Sequence, residues 1–117
     1  MRVKDFKCLK IWTKGMEIVQ TTYDLTGNFP INEKYGLISQ MQRAAVSIPA
    51  NISEGFARQH VKEYRQFCYI ASGSCAELQT LAYIAEKQGY ISSSQLNELL
   101  TEILHESKMI MNLIKKL

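Results

Sequence analysis

The sequence predicts an all-α protein, an antiparallel up-down-up-down bundle of four helices that forms a single domain over residues 1–117. Three observations support this prediction. Four segments repeat apolar residues at steps of three and four, which is the spacing of one helix face. No segment alternates apolar and polar residues for long enough to predict a strand. The connections between the four segments are short, which favours neighbouring helices that run in opposite directions.

The first predicted helix covers residues 6–26 and ends where Gly27, Asn28 and Pro30 interrupt the pattern. Its apolar residues recur every three or four positions, so we expect one buried stripe along this helix. The stripe consists of Leu9, Trp12, Met16, Val19 and Tyr23, widened by Ile11, Ile18 and Leu25.

The second predicted helix covers residues 33–55, with Gly55 as its C-terminal stop. Pro49 lies inside this segment and has no N–H to donate to the carbonyl of Ala45. We therefore expect a kink near Pro49, or a helix that is split there. The apolar stripe of this segment consists of Ile38, Met41, Ala45, Ile48 and Ile52.

The third predicted helix covers residues 61–88 and the fourth covers residues 93–117. Six small residues in a row, 71–76, lie in the third helix and would let a neighbouring helix approach closely. Ser92 and Gln95 have the spacing of a capping box at the start of the fourth helix. The stripe of the third helix is Tyr64, Phe67, Ala71, Ser74, Leu78, Leu81 and Ala85. The apolar face of the fourth is Leu96, Leu99, Leu100, Ile103, Ile110, Leu113, Ile114 and Leu117.

The composition excludes several classes of protein. Apolar residues make up 46% of the chain and charged residues 21%, which is typical of a globular protein and too apolar for a disordered one. Polar side chains interrupt every apolar run well before the roughly 18 residues of a membrane span. Residues 1–12 lack the apolar core of a secretory signal, and the three cysteines have no CxxC spacing, so we expect a cytoplasmic protein with reduced thiols.

No pattern in the sequence predicts an enzyme, a cofactor, a metal site or a small-molecule substrate. The chain has neither a phosphate-binding loop nor a dinucleotide-binding glycine pattern. Glu102 and His105 form one Glu-x-x-His unit, whereas di-iron bundles use two such units. The two histidines and three cysteines do not have the spacing of zinc ligands.

A second row of residues with helical spacing lies opposite the apolar stripe of the second helix. This polar row consists of Gln40, Arg43, Ser47, Asn51 and Glu54. This row is either a solvent-exposed face or a polar contact surface, between subunits or to a ligand. Arg43 is the only charged residue between Lys34 and Glu54, and its guanidinium suits a bidentate carboxylate or phosphate partner. The candidates for a subunit interface, or for a buried polar network, are Gln40, Arg43, Asn51, Glu54 and Glu77.

Residues 40–55 read QMQRAAVSIPANISEG, and this segment resembles the signature of the bacterial four-helix-bundle proteins, also called the 23S rRNA-intervening sequence proteins. Three positions depart from the family pattern. Gln42 stands where a second basic residue is common, Ser53 replaces a usual alanine, and His60 replaces a capping Ser or Thr. Further matching residues span nearly the whole chain, namely Leu9, Trp12, Tyr23, Phe29, Pro30, Glu33, Tyr35, Gly36, Leu37, Phe56, Arg58, Glu63, Tyr64, Phe67, Ala71, Ser72, Gly73, Ser74, Glu77, Leu78, Gly89 and Tyr90.

The resemblance implies a small cytoplasmic left-handed four-helix bundle that assembles into a ring, typically a homopentamer. It implies no enzymatic activity, because none is established for the family. A relative in diversity-generating retroelements binds nucleic acid and a reverse transcriptase. The resemblance therefore makes RNA, DNA or a protein a possible partner of this chain.

Two basic clusters are the best sequence features for nucleic-acid binding. Each could also be an ordinary solvated face. Repetition of the clusters around a ring would give a continuous band that holds the phosphate backbone without reading bases. The first cluster consists of Arg2, Lys4, Lys7, Lys10 and Lys14, and the second of Arg58, Lys62 and Arg65.

We therefore expect a non-enzymatic, oligomeric four-helix bundle that binds nucleic acid, RNA before DNA, through a basic surface. The alternative is a protein-interaction or assembly module with no nucleic-acid role, whose ring docks another protein. The residues expected to contact phosphate are Lys7, Lys10, Lys14, Arg58, Lys62 and Arg65.

Overall fold

A computed structural model describes residues 5–117 of the chain. These residues form two short 3-10 turns and four α-helices, and they contain no strand. The turns cover Phe6–Cys8 and Ile31–Glu33, and the helices are α1 (Lys10–Thr26), α2 (Leu37–Ala57), α3 (Val61–Lys87) and α4 (Ser93–Lys116). The predicted all-α class with four helices is therefore confirmed.

Contacts between the helices show that chain neighbours run in opposite directions. The amide of Gln42, near the start of α2, donates to the hydroxyl of Thr26 at the end of α1 over 3.1 Å. Three residues join α2 to α3, and Arg65 near the start of α3 donates to the carbonyl of Leu117 beyond the end of α4. Helix α1 also packs on α4, whereas no close backbone approach joins either diagonal pair within residues 5–117. The four helices form a square with up-down-up-down topology.

The helix ends match the sequence in part. The predicted capping box is present, because the Gln95 N–H donates to Ser92 Oγ over 3.0 Å and the Ser92 N–H donates to Gln95 Oε1 over 2.8 Å. Gly89 follows α3 with φ of +80°, a left-handed conformation that favours glycine. Helix α2 continues through Pro49 as one helix. The expectation of a split helix is therefore wrong, and a kink at Pro49 stays a prediction.

One apolar core lies between the helices, and the stripes of α2, α3 and α4 face it as predicted. The side chains that are buried there come from all four helices. Burial of such aliphatic side chains is the main source of stability in a bundle of this size. The largest members of the core are Ile18, Met41, Ile48, Ile52, Leu78, Leu99, Ile103 and Ile110.

The face of α1 that enters the core differs from the predicted stripe. Met16 and Tyr23 are each 44% exposed, whereas Ile18 and Thr22 are fully buried. The hydroxyls of Thr22 and Thr26 donate to carbonyl oxygens one turn earlier, over 2.8 and 2.9 Å. These hydroxyls are satisfied inside the helix, so the threonine methyl groups can pack in the core. The prediction is wrong for Met16 and Tyr23, because it ranked residues by apolar bulk alone.

Candidate nucleic-acid interface

The antiparallel order brings the two predicted basic clusters to one end of the molecule. This end, residues 5–10, 54–65 and 115–117, is called the basic end below. It carries seven basic and three acidic side chains, whereas the rest of the described chain carries five basic and eight acidic ones. Charge is thus separated along a molecule 46 Å long. The basic members are Lys7, Lys10, Arg58, Lys62, Arg65, Lys115 and Lys116, and the acidic ones are Asp5, Glu54 and Glu63.

Lys14 of the first predicted cluster forms ion pairs with two carboxylates. Its ammonium lies 3.5 Å from Glu17 and 3.6 Å from Glu102, and its side chain is only 21% exposed. Glu102 also accepts a hydrogen bond from the hydroxyl of Thr21 over 3.1 Å. This arrangement joins α1 to α4. Lys14 is therefore less available to a phosphate than the sequence indicates.

Arg58 lies at the junction between α2 and α3 and contacts side chains of both helices. Its guanidinium lies 3.0 Å from Glu54 and 3.5 Å from Glu63, and it stacks 5.2 Å from the centre of the Phe67 ring. About half of the Arg58 side chain is nevertheless exposed. Glu54, a candidate for a subunit interface, is thus already paired within the chain.

The other members of the basic clusters differ in their partners. Lys7 lies 3.6 Å from the carboxylate of Asp5, and Arg65 is bound to the carbonyl of Leu117. Lys10 and Lys62 are exposed and have no ion-pair partner among residues 5–117. These two lysines are the members best placed to contact a phosphate. Arg2 and Lys4, also named in the first cluster, lie outside the described residues.

The polar row of α2 divides into a hydrogen-bonded part and an exposed part. The amide of Asn51 donates to the carbonyl of Ser47 over 2.7 Å and to its hydroxyl over 2.9 Å. The Ser47 hydroxyl in turn lies 2.8 Å from that of Ser74 on α3. Gln40 and Arg43 are exposed instead. Asn51 therefore belongs to a network between α2 and α3, and Ser74 is a member that the sequence did not indicate.

Glu77 lies on an exposed face of α3 that is otherwise apolar or uncharged. Tyr69 and Tyr83 are about half exposed at its two ends, and a Cβ added to Gly73 would meet no atom within 4 Å. Glu77 is the single charged side chain in this set. The outer α3 face, as it is called below, consists of Tyr69, Ile70, Gly73, Ala76, Glu77, Thr80, Tyr83 and Ile84.

A shallow groove of about 550 Å³ runs between the end of α1 and the first half of α2. Two cations, Lys34 and Arg43, line it, and no carboxylate among the described residues does. Tyr35 is 89% exposed beside it, with the Lys34 ammonium 5.5 Å from the centre of its ring. The α1–α2 groove is lined by Tyr23, Lys34, Tyr35, Ile38, Ser39, Gln42, Arg43 and Val46.

Comparison with protein families matches residues 7–112 to the model of the 23S rRNA-intervening sequence protein family. The chain belongs to this family. A solved structure of a protein with unknown function from the S23 ribosomal protein family of Bacteroides thetaiotaomicron is similar in fold, with a TM-score of 0.82 and 21% sequence identity. The similarity covers 90% of this chain and 98% of that one. Comparison with curated proteins finds no match.

This 23S rRNA-intervening sequence family member has a buried carboxyl group that the sequence analysis missed. Glu106 on α4 is fully buried, and neither of its carboxyl oxygens has a hydrogen-bond partner within residues 5–117. Burial raises the pKa of Glu106 to about 8, while Lys14 lowers this pKa and Glu17 raises it. A signal was present in the spacing, because Glu106 lies three residues after Ile103 and four before Ile110, in register with the apolar face.

Two of the cysteines, Cys68 and Cys75, are buried and free. Burial raises the pKa of Cys68 to about 11 and that of Cys75 to about 12, which keeps both buried thiols protonated and poorly nucleophilic. Among residues 5–117, no three His, Cys, Asp or Glu side chains are grouped as metal ligands. No helix in this part of the chain has both the length and the apolar content needed to cross a membrane.

Proposed function

We propose that this 23S rRNA-intervening sequence family member is a non-enzymatic, oligomeric, cytoplasmic protein that binds nucleic acid through its basic end. The observation that carries the proposal is the gathering of seven basic side chains from three separate segments at one end of the bundle. Lysine and arginine contacts to phosphate release condensed counterions and give affinity that does not depend on sequence. The description of the family by an rRNA insert favours RNA over DNA as the ligand.

The exposed lysines of the basic end are the expected phosphate contacts. Lys10 and Lys62 are free of carboxylates within the described residues, and Arg58 is paired but half exposed. Lys115 and Lys116 add positive charge at the C-terminal end of α4, where the helix dipole also favours cations. Contacts of this kind position a backbone without reading bases.

Reversing the charge of Lys10 and Lys62 together should weaken RNA binding about tenfold or more at low salt. Two phosphate contacts would be lost, so the slope of log affinity against log salt should fall by about two. Filter binding of a structured RNA at several salt concentrations measures both quantities. The matched control is Lys87→Glu with Lys108→Glu, the same change of charge outside the basic end, which should leave the slope unchanged.

The outcomes of this binding experiment separate the two functions. Equal losses in the Lys10/Lys62 pair and in the control pair would mean that net charge matters and the basic end does not. Absence of RNA binding by the wild-type protein at low salt would remove the nucleic-acid function. The protein-interaction or assembly module, the alternative function, would then remain.

Assembly of copies into a ring is part of the proposal, and two exposed surfaces support it. The α1–α2 groove carries two cations that have no carboxylate partner within residues 5–117, and the outer α3 face carries Glu77 among apolar groups. These are different patches of one molecule, so a contact between the groove of one copy and the α3 face of the next is head-to-tail. Repetition of this contact closes a ring when the rotation between neighbouring copies divides a full turn evenly. The family resemblance favours five copies.

Charge reversal at either surface should dissociate the assembly, and mixing the two variants should restore most of it. Arg43→Glu and Glu77→Arg each place like charges in the proposed contact, so we expect light scattering to show a lower mass for each alone. In the mixture, the altered groove of one variant faces the altered α3 face of the other, and opposite charges meet again. A ring of five cannot alternate two variants at every contact, so one contact in five keeps like charges and we expect mixing to recover most of the mass.

Recovery on mixing distinguishes a contact between copies from a pair within one chain. If Arg43 instead paired with Glu77 of the same copy, only a double variant with both charges reversed would restore the pair. Mixing the two single variants would then leave the low mass unchanged. A wild-type protein that is monomeric at micromolar concentration would contradict the ring itself. Asn97→Glu, an added negative charge on an exposed position of α4 outside both surfaces, is the control and should leave the mass unchanged.

A further inference from the structure

Glu106 lies where three other helices close around α4. A Cβ added to Gly15 of α1 would be 3.1 Å from a carboxyl oxygen of Glu106 and 3.3 Å from ring atoms of Pro49 on α2. The carboxyl group is therefore in the interior of the bundle, beside a residue without a side chain and a residue without an N–H. No group within residues 5–117 donates a hydrogen bond to it, although an ionised carboxylate needs such donors.

The charged groups around Glu106 are few. Helix α1 contributes Lys14 and Glu17, α4 itself contributes Glu102 one turn away, and α2 contributes only the uncharged Pro49. Helix α3 contributes Cys75, whose thiol stays protonated because burial and the nearby Glu106 raise its pKa to about 12. Lys14 is already shared by two other carboxylates. Glu106 is thus the buried group in this cluster that changes charge near neutral pH.

We propose that Glu106 is a proton-dependent lock between α1 and α4. With its proton, the carboxyl group stays buried between Gly15 and Pro49 and the helices close around it. Without the proton, the carboxylate moves toward water, and α1 separates from α4. Of the four helix pairs in contact, α1 and α4 share the smallest contact, so this is where the bundle opens most easily. The lock is independent of any ligand.

The sign of the pH dependence follows from the direction of the pKa shift. The pKa of Glu106 is raised from 4.5 in the unfolded chain to about 8 in the folded protein. Between these values the folded protein keeps the proton and the unfolded chain has lost it. The unfolding equilibrium constant should therefore rise about tenfold for each unit of pH in that range and level off above pH 8.

Urea denaturation at a series of pH values from 5 to 9 tests the lock. Wild-type protein should lose stability steadily up to about pH 8, whereas Glu106→Gln should abolish most of this slope and be more stable than wild type at pH 9. Glu98→Gln is the matched control, because it removes an exposed carboxylate from the same helix and should keep the wild-type slope. Parallel profiles for wild type and Glu106→Gln would overturn the proposal.

A second measurement keeps the test decisive if Glu106→Gln does not fold. Lys14 lowers the pKa of Glu106, so this pKa should rise in Lys14→Met. The pH above which the stability of the protein no longer falls should therefore be higher in this variant. Hydrogen exchange of wild-type protein, corrected for the intrinsic effect of pH, should show α1 losing protection between pH 6 and 9 before α2 and α3 do. Uniform protection of all four helices across this range, with no movement of the profile in Lys14→Met, would refute the lock.

Discussion

Replacing Leu78 with alanine should lower the free energy of unfolding by about 2–5 kcal/mol. Leu78 is fully buried in the middle of α3, within the core shared by the four helices. Truncation removes buried apolar contacts and leaves a cavity that the surrounding helices can fill only in part. The loss is large against the roughly 5–15 kcal/mol that stabilises a typical domain, and urea denaturation would measure it directly.

Leu104→Ala is the matched control for this truncation. It removes the same atoms from α4 at a side chain that is 55% exposed, so its effect should stay below about 1 kcal/mol. The difference between the two variants isolates the contribution of burial from the helix propensities of leucine and alanine. Similar losses at both positions would mean that α3 and α4 are rotated from the orientation described above.

Alanine at Gly55 should also destabilise the protein, by about 1–3 kcal/mol. Alanine normally favours a helix over glycine, so this expectation opposes the intrinsic propensity. The added Cβ would lie 2.6 Å from Cβ of Phe67 and 3.3 Å from the ring of Tyr64. Because Cβ of Phe67 is fixed by the backbone of α3, the two helices must move apart at their short junction.

Gly73→Ala supplies the comparison for Gly55. A Cβ at Gly73 meets no atom within 4 Å, so the same substitution within α3 should stabilise the protein by about 0.5–1 kcal/mol. Both variants are best unfolded at concentrations too low for assembly, because Gly73 lies on the outer α3 face. Stabilisation of both variants would contradict the close approach of α2 and α3 at Gly55.

The sequence predicts the faces of α2, α3 and α4 well because large aliphatic side chains dominate their stripes. Ile48 and Leu78 are fully buried as expected. The face of α1 was not predictable in this way. Its buried positions include Gly15 and Thr22, which periodic hydrophobicity treats as neutral or polar, and their burial depends on a close helix approach and on hydroxyls satisfied one turn back.

The candidate site was predictable as a set of residue types but not as an arrangement. Helical spacing identifies Lys10 and Lys62 as members of basic clusters, yet only the topology places them at the same end. The pairing of Lys14 with Glu102 joins residues far apart in the chain, so no local pattern indicates it. Glu106 was missed for a related reason, since a charged residue in register with an apolar face is usually assumed to point outward.

The uneven distribution of charge along the bundle also affects how the molecule meets other molecules. Opposite signs at the two ends of a rod make it an electric dipole, whose field reaches about 8 Å through physiological salt before ions screen it. A polyanion approaching from solution would turn the rod so that the basic end arrives first. Orientation would thus be selected during diffusion, before any side chain touches its target, and the benefit would appear in the rate of encounter.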